Sequence, residues 1–357
     1  MEAGVGIVRR GALAVITLNR PATGNAISIA MRATIAQAFA GFGRDTNLYA
    51  VALRTRTGGP FCSGGDMQEI VALAQRDLAA ARRAVADDLT LCWVAECLSK
   101  PSVSLVDGAV TGIGIGITLY NTHRVAGPSY AFSMPEAAIG YLPQCGVARA
   151  AARMPHGIGH YLALTGRSIG RADALALGLV THCIGPGHFD RIEELLADAE
   201  PVDQVLDGLH EDPGPSPLMA DAARIERYFA APSLREIAAR LAAAPANDRA
   251  FAQSVEDALA RRSPLALHVT DRMIRTAQSL DIQGALIRDY RVAHRFLGAP
   301  DFQAGVPGPV DDPERAPRWQ HASLDAVPEA DIAAYFEPLG DAELPLPSRQ
   351  QMQAART

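Results

Sequence analysis

Phe61-Cys62-Ser63-Gly64-Gly65-Asp66 is the stretch on which the fold turns. It follows Tyr49–Leu53, an apolar run that predicts a strand, and the loop Thr57–Pro60. It precedes a periodic run from Met67 to Leu98 that predicts one long helix, ended by Lys100-Pro101. A glycine-rich link there lets backbone N–H groups approach a ligand, and the helix start adds a positive dipole end. The chain repeats the arrangement. Val103–Val106 predicts a strand, Asp107-Gly108 and Thr111-Gly112-Ile113-Gly114-Ile115-Gly116 supply the turn, and a helix runs toward Asn121. Two amides aimed at one carbonyl oxygen make an oxyanion hole. Taken alone, either loop reads better as a tight packing turn. The glycines at 112, 114 and 116 give GxGxG and not the dinucleotide pattern GxGxxG.

Working outward, Ala12–Asn19 predicts a strand closed by Arg20-Pro21. Ser28 is placed to cap a helix whose Ile35, Phe39 and Phe42 recur at helical spacing. Short strands are expected at Arg124–Ala126, Tyr130–Phe132 and Leu179–Ile184, and helices at Gly157–Leu164 and Arg171–Leu177, with Gly178 as C-cap. Strands alternating with helices imply an α/β core whose loops carry the chemistry. After Gly185 the pattern turns helical, with a break at Asp212–Pro217 and new helices near Pro245, Pro264 and Asp281. From Phe302 a tail rich in Pro and Asp is expected to wrap a surface. The expected division is a core over 1–190, a helical region over 191–300 and a tail over 301–357.

A net charge of −6 and the lack of a basic stripe speak against a nucleic-acid partner. Only Lys100 among the 33 basic residues is a lysine, which with the abundant alanine reads as genome composition. The five cysteines are scattered without CxxC spacing, so neither a disulfide frame nor a zinc site is expected. Gly11–Leu18 is too short for a signal peptide, and no apolar run approaches the ~20 residues of a membrane span. The cytoplasm is the expected compartment, with no membrane partner.

A third stretch is Phe132-Ser133-Met134-Pro135-Glu136, followed by Ile139-Gly140 and Leu142-Pro143-Gln144-Cys145-Gly146. Pro135 stiffens the approach to Glu136, and apolar surroundings would raise its pKa toward that of a working acid or base. Alone, a loop glutamate reads equally as a solvated or ion-paired side chain. In this order and spacing, the three stretches resemble the crotonase (enoyl-CoA hydratase/isomerase) superfamily. Leu18-Asn19-Arg20-Pro21 with Asn25-Ala26, Leu164-Thr165-Gly166-Arg167 and Ala174–Val180 extend the resemblance. It implies an α/β fold, a ββα spiral core with a helical C-terminal region. It also implies an acyl-CoA substrate, with CoA arriving as part of that substrate and no separate cofactor or metal. The oxyanion amides would be those of Gly65 and Ile113. Gly64, Gly112, Asn25 and Ala26 would line the substrate site.

Chain length, Ser263-Pro264, Asp289-Tyr290-Arg291, Asp301-Phe302 and Pro317-Arg318-Trp319 are similar to the 3-hydroxyisobutyryl-CoA hydrolase group within that family. Hydratases carry a further glutamate after the second glycine turn, where this chain has Gly116; the hydrolase group lacks it too. That group pairs its glutamate with an Asp, where this chain has Gln144, an amide that hydrogen-bonds but takes no proton at neutral pH. Its tail pattern EGVRA appears here as Ala304-Gly305-Val306-Pro307-Gly308. Asp87-Asp88 falls where the group has an acidic pair near the substrate, and reads equally as an exposed helix face. Cys62, Cys145 and His182 read as packing residues, and Asp66 as a turn-shaping side chain. The resemblance thus implies hydrolysis of a short β-hydroxyacyl-CoA, most like 3-hydroxyisobutyryl-CoA in valine catabolism. Glu136 would be the catalytic carboxylate, and Gln144 and Asp88 would orient the hydroxyl or water. An enoyl-CoA hydratase or isomerase on the same scaffold, and a non-catalytic acyl-CoA binder, remain the alternatives. Family members commonly assemble, and the extra helices could cap the usual interface, so a homo-oligomer stays open.

Overall fold

Parity along the strands decides how the sheet is covered. In β2 (Leu13–Leu18) and β3 (Ala50–Thr55), Leu13, Val15, Ala50 and Ala52 face one side; Ala14, Ile16, Val51 and Leu53 face the other. Both sides are apolar, so both must be covered, as parallel sheets require. The computed structural model, which describes residues 4–306 and 317–354, shows how. The main sheet runs β1 (Val5–Arg10), β2, β3, β4 (Ser102–Val106), β6 (His123–Ala126), β8 (His182–Cys183). Only the β1–β2 pair is antiparallel. A second, parallel pair joins β5 (Ala109–Val110) to β7 (Ala131–Phe132).

Helix α1 (Ile29–Arg44) starts where expected, with the Ser28 hydroxyl accepting from Met31 N–H at 3.3 Å. The run from Met67 is not one helix. It divides into α2 (Met67–Arg76) and α3 (Leu78–Glu96), because Asp77 takes an extended conformation and its carboxylate accepts from Ala80 N–H at 2.9 Å. Helix α4 (Ile113–Leu119) follows the second glycine turn; α5 (Val147–Ala152), α6 (Ile158–Thr165) and α7 (Arg171–Ala176) come next. The strand expected over Leu179–Ile184 shrinks to β8. Leu179 and Val180 donate instead to the Ala174 carbonyl, extending the turn that ends α7. Strand β1 was not expected: it is an edge strand with Ile7 and Val8 exposed, so it carries little alternation.

Helices α8 (Phe189–Ala197) and α9 (Val202–Asp207) cover one face of the sheet with Phe189, Ile192, Leu196, Val205 and Leu206. The other face belongs to a larger core reaching from Val5 to Leu344. That core takes in α10 (Pro217–Ala220), α11 (Ala222–Phe229), α12 (Leu234–Ala242), α13 (Arg249–Ala260), α14 (Pro264–Thr276), α15 (Ile282–Phe296) and α16 (Pro300–Gly305). The tail does wrap a surface: Trp93 Nε1 on α3 donates to the Pro347 carbonyl at 2.8 Å, and Arg349 pairs with Glu96. Pro307 and Gly308 lie outside the described residues. No described helix is long and apolar enough to cross a membrane.

Candidate active site

A second, smaller layer of extended segments gathers the site. Bridges join Ile27 to Gly65, Cys62 to Val110, Val110 to Phe132 and Phe132 to Ile169. The stretches singled out in the sequence, though far apart along the chain, are therefore neighbouring rungs of one stack. In the Ile27–Gly65 bridge, Ile27 N–H donates to the Gly64 carbonyl and Asp66 N–H donates to Ile27. The N–H of Gly65 itself consequently faces away from that partner. Ile113 opens α4, so its N–H has no intrahelical acceptor. Among the described residues neither amide donates within the chain.

Gly112 sits between these amides and the carboxylate. A Cβ there would lie 3.9 Å from Gly65 N, 3.9 Å from Glu136 Oε1 and only 3.2 Å from Gly64 Cα. With φ of 52° the position suits glycine on conformational grounds as well. Glu136 opens the short turn Glu136–Ile139 and is buried. Burial pushes its carboxyl from 4.5 up to about 8, while its own amide and that of Gly112 pull the other way. Ile113 is fully buried, its Cγ2 4.0 Å from where a Gly65 Cβ would stand.

Gly116 leaves no room for a second carboxylate. A Cβ at that position would meet Cys145 Cβ and Cys92 Sγ, both at 2.7 Å. Gln144 is buried, and its Oε1 accepts from the Tyr141 hydroxyl at 3.1 Å. Its loop is held at both following residues. Tyr120 Oη donates to the Cys145 carbonyl at 2.7 Å, and Gly146 N–H donates to Asp289 Oδ2 at 2.7 Å. Asp289 and Phe302, picked out for group resemblance, thus buttress the site; the Phe302 ring stands 4.8 Å from that of Tyr141.

Asp88 is neither exposed nor alone. It lies wholly buried on α3, ion-paired with Arg32 of α1, while Asp87 points to solvent. Burial pushes the Asp88 carboxyl from 3.8 up to about 6 against the pull of Arg32. A Cβ on Gly65 would come within 2.9 Å of Arg32 Nη2, so the guanidinium lies directly behind the Gly65 turn. Arg32 carries no motif of its own, although it falls on the same helical stripe as Ile35 and Phe39. Asn25, at φ 57°, is used internally: Oδ1 accepts from Arg20 N–H and Nδ2 donates to the Pro60 carbonyl, each at 2.8 Å. The Ala26 carbonyl accepts from Arg20 Nη1 at 2.9 Å. Both shape the loop beside Gly65. Asp66 caps α2 and pairs with Arg20. Burial lifts the Cys62 thiol to about 12, and a hydrogen bond with Cys92 together with burial lifts the Cys145 thiol well above its usual range, which leaves both as packing groups.

The enoyl-CoA hydratase/isomerase family model matches residues 13–336. The chain belongs to that family. Among the relatives of this family member is the mouse protein named "3-hydroxyisobutyryl-CoA hydrolase, mitochondrial", 30% identical over 352 residues. That alignment covers 94% of this chain and 89% of the relative. The chicken protein of the same name is 29% identical, with 96% and 91% covered. The word mitochondrial in those names lends no support to the cytoplasmic expectation. Two solved structures also match along nearly the whole length. The carnitinyl-CoA dehydratase from Mycobacterium thermoresistibile has a TM-score of 0.89 at 32% identity, with 96% and 99% covered. The enoyl-CoA hydratase from Rhodobacter sphaeroides 2.4.1 has 0.89 at 31%, with 96% and 100% covered.

Proposed function

We propose that this family member, an acyl-CoA enzyme of crotonase type, hydrolyses a short β-hydroxyacyl-CoA, with 3-hydroxyisobutyryl-CoA as the leading candidate. The observation that carries the reading is the convergence of the Gly65 amide and the Glu136 carboxylate on Gly112. A thioester carbonyl placed there meets the N–H groups of Gly65 and Ile113. Charge developing on its oxygen is stabilised more in the transition state than in the ground state. Ionised Glu136 takes a proton from the water that adds to the carbonyl carbon and passes it to the departing CoA sulfur. In the alternative, it adds to that carbon itself, CoA leaves as a thiolate that takes a proton from water, and a second water hydrolyses the resulting anhydride. The closed space at Gly116 favours this chemistry over addition of water by paired carboxylates. The names of the hydrolase relatives support the substrate.

A second reading, an enoyl-CoA isomerase or hydratase, draws on the names of the two solved structures. One carboxylate beside two amides could shuttle a proton between the α and γ carbons. Incubating the purified protein with 3-hydroxyisobutyryl-CoA and with enoyl-CoA substrates separates the two. Release of free thiol from the first supports the hydrolase. A double-bond shift or hydration without thiol release would replace it with the second reading.

A further inference from the structure

We propose that Tyr141 is a positioning residue that turns the Gln144 amide so that its N–H group, and not its oxygen, meets the acyl group. This deepens the acyl-CoA reading above and rests on it. Both side chains are buried, at 0% and 1% exposure, and the Tyr141 hydroxyl donates to Gln144 Oε1 at 3.1 Å. With the carbonyl end committed, Nε2 lies at the opposite end, buried and without a hydrogen-bond partner. Leaving such a donor unpaired costs about 1–3 kcal/mol, so the arrangement fits a partner that arrives from outside.

Tyr141 is well placed to hold that orientation. Its ring lies 4.8 Å from Phe302 and 6.0 Å from Phe296, centroid to centroid. Its own N–H donates to the Glu136 carbonyl at 3.0 Å, which ties the phenol to the turn bearing the carboxylate. The Gln144 N–H group is left to meet the oxygen of a β-hydroxyl, which an unsubstituted acyl chain lacks. The site therefore favours β-hydroxyacyl over plain acyl thioesters.

The test reads affinity and not turnover. In protein carrying Glu136→Gln, titration calorimetry compares 3-hydroxyisobutyryl-CoA with isobutyryl-CoA. The expected preference for the hydroxylated thioester is about tenfold, the worth of one or two hydrogen bonds. Adding Tyr141→Phe should bring that ratio close to one while affinity for isobutyryl-CoA holds. Gln144→Leu should do the same, and the two together no more, since they remove one interaction. If Tyr141→Phe does not fold, Gln144→Leu carries the same expectation. Full preference in either variant, equal loss of both ligands, or no preference in the parent would overturn the proposal. Preference without thiol release from the enzyme with Glu136 intact would leave it standing and overturn the hydrolase reading alone.

Discussion

Two buried arginine–carboxylate clusters lie on opposite faces of the sheet and are finished differently. On the face covered by α8, Arg54 pairs with Asp190 at 2.7 Å and with Glu193, and donates to the Thr55 carbonyl. Glu193 is also met by Arg56 at 2.8 Å and Arg10 at 3.2 Å. On the other face, Arg32 and Asp88 form a single wholly buried pair behind the Gly65 turn. The Arg54 cluster spreads its charge over several partners, whereas the Arg32–Asp88 pair depends on itself, so losing one member strands the other.

The sharpest way to break this contrast is to remove one carboxylate at a time. Asp88→Ala strands a buried guanidinium and should destabilise the protein by about 3–5 kcal/mol in denaturant unfolding. Arg32→Met with Asp88→Leu should recover most of that. Glu193→Ala leaves Arg54 with Asp190 and should cost less than Asp88→Ala. An equal or greater cost there would erase the distinction between the clusters.

The next effect is a pH dependence. The folded-state pKa of Glu136 is raised, so the folded protein binds more protons than the unfolded chain between about 4.5 and about 8. Its contribution to stability is full below that window and is lost as pH rises through it. Burial raises Asp88 and Asp289 to about 6, so they act in the same direction. Unfolding curves across pH 4–8 should show stability falling, and Glu136→Gln should flatten part of the slope. Smaller still, Asp77→Ala should cost about 1 kcal/mol through the lost cap on α3. Asp190→Ala, at the solvent edge of the Arg54 cluster, should change stability by less than about 1 kcal/mol.

Much of the site was legible because its positions need particular residues. Gly64 and Gly112 occupy left-handed conformations in tight contact, and Glu136 follows a proline in an apolar stretch. Arg32 stayed hidden because an arginine on an apolar stripe is read as snorkelling until its partner is known, and Asp88 lies on a different helix. Tyr141 stayed hidden because its hydroxyl meets Gln144 through an irregular loop that no periodicity describes. The break at Asp77 was readable in principle, since an Asp before Leu78 is a capping signal, but the flanking apolar residues kept helical spacing across it.

The most direct test of the account is the pH–rate profile of thiol release from 3-hydroxyisobutyryl-CoA, with Glu136→Gln alongside. The rate should climb as Glu136 ionises, with an apparent pKa far above 4.5 and toward 8. Glu136→Gln should lower it by about 10²–10⁴ fold and remove that limb. Thiol release that is flat with pH, or that survives Glu136→Gln unchanged, would contradict this role of Glu136.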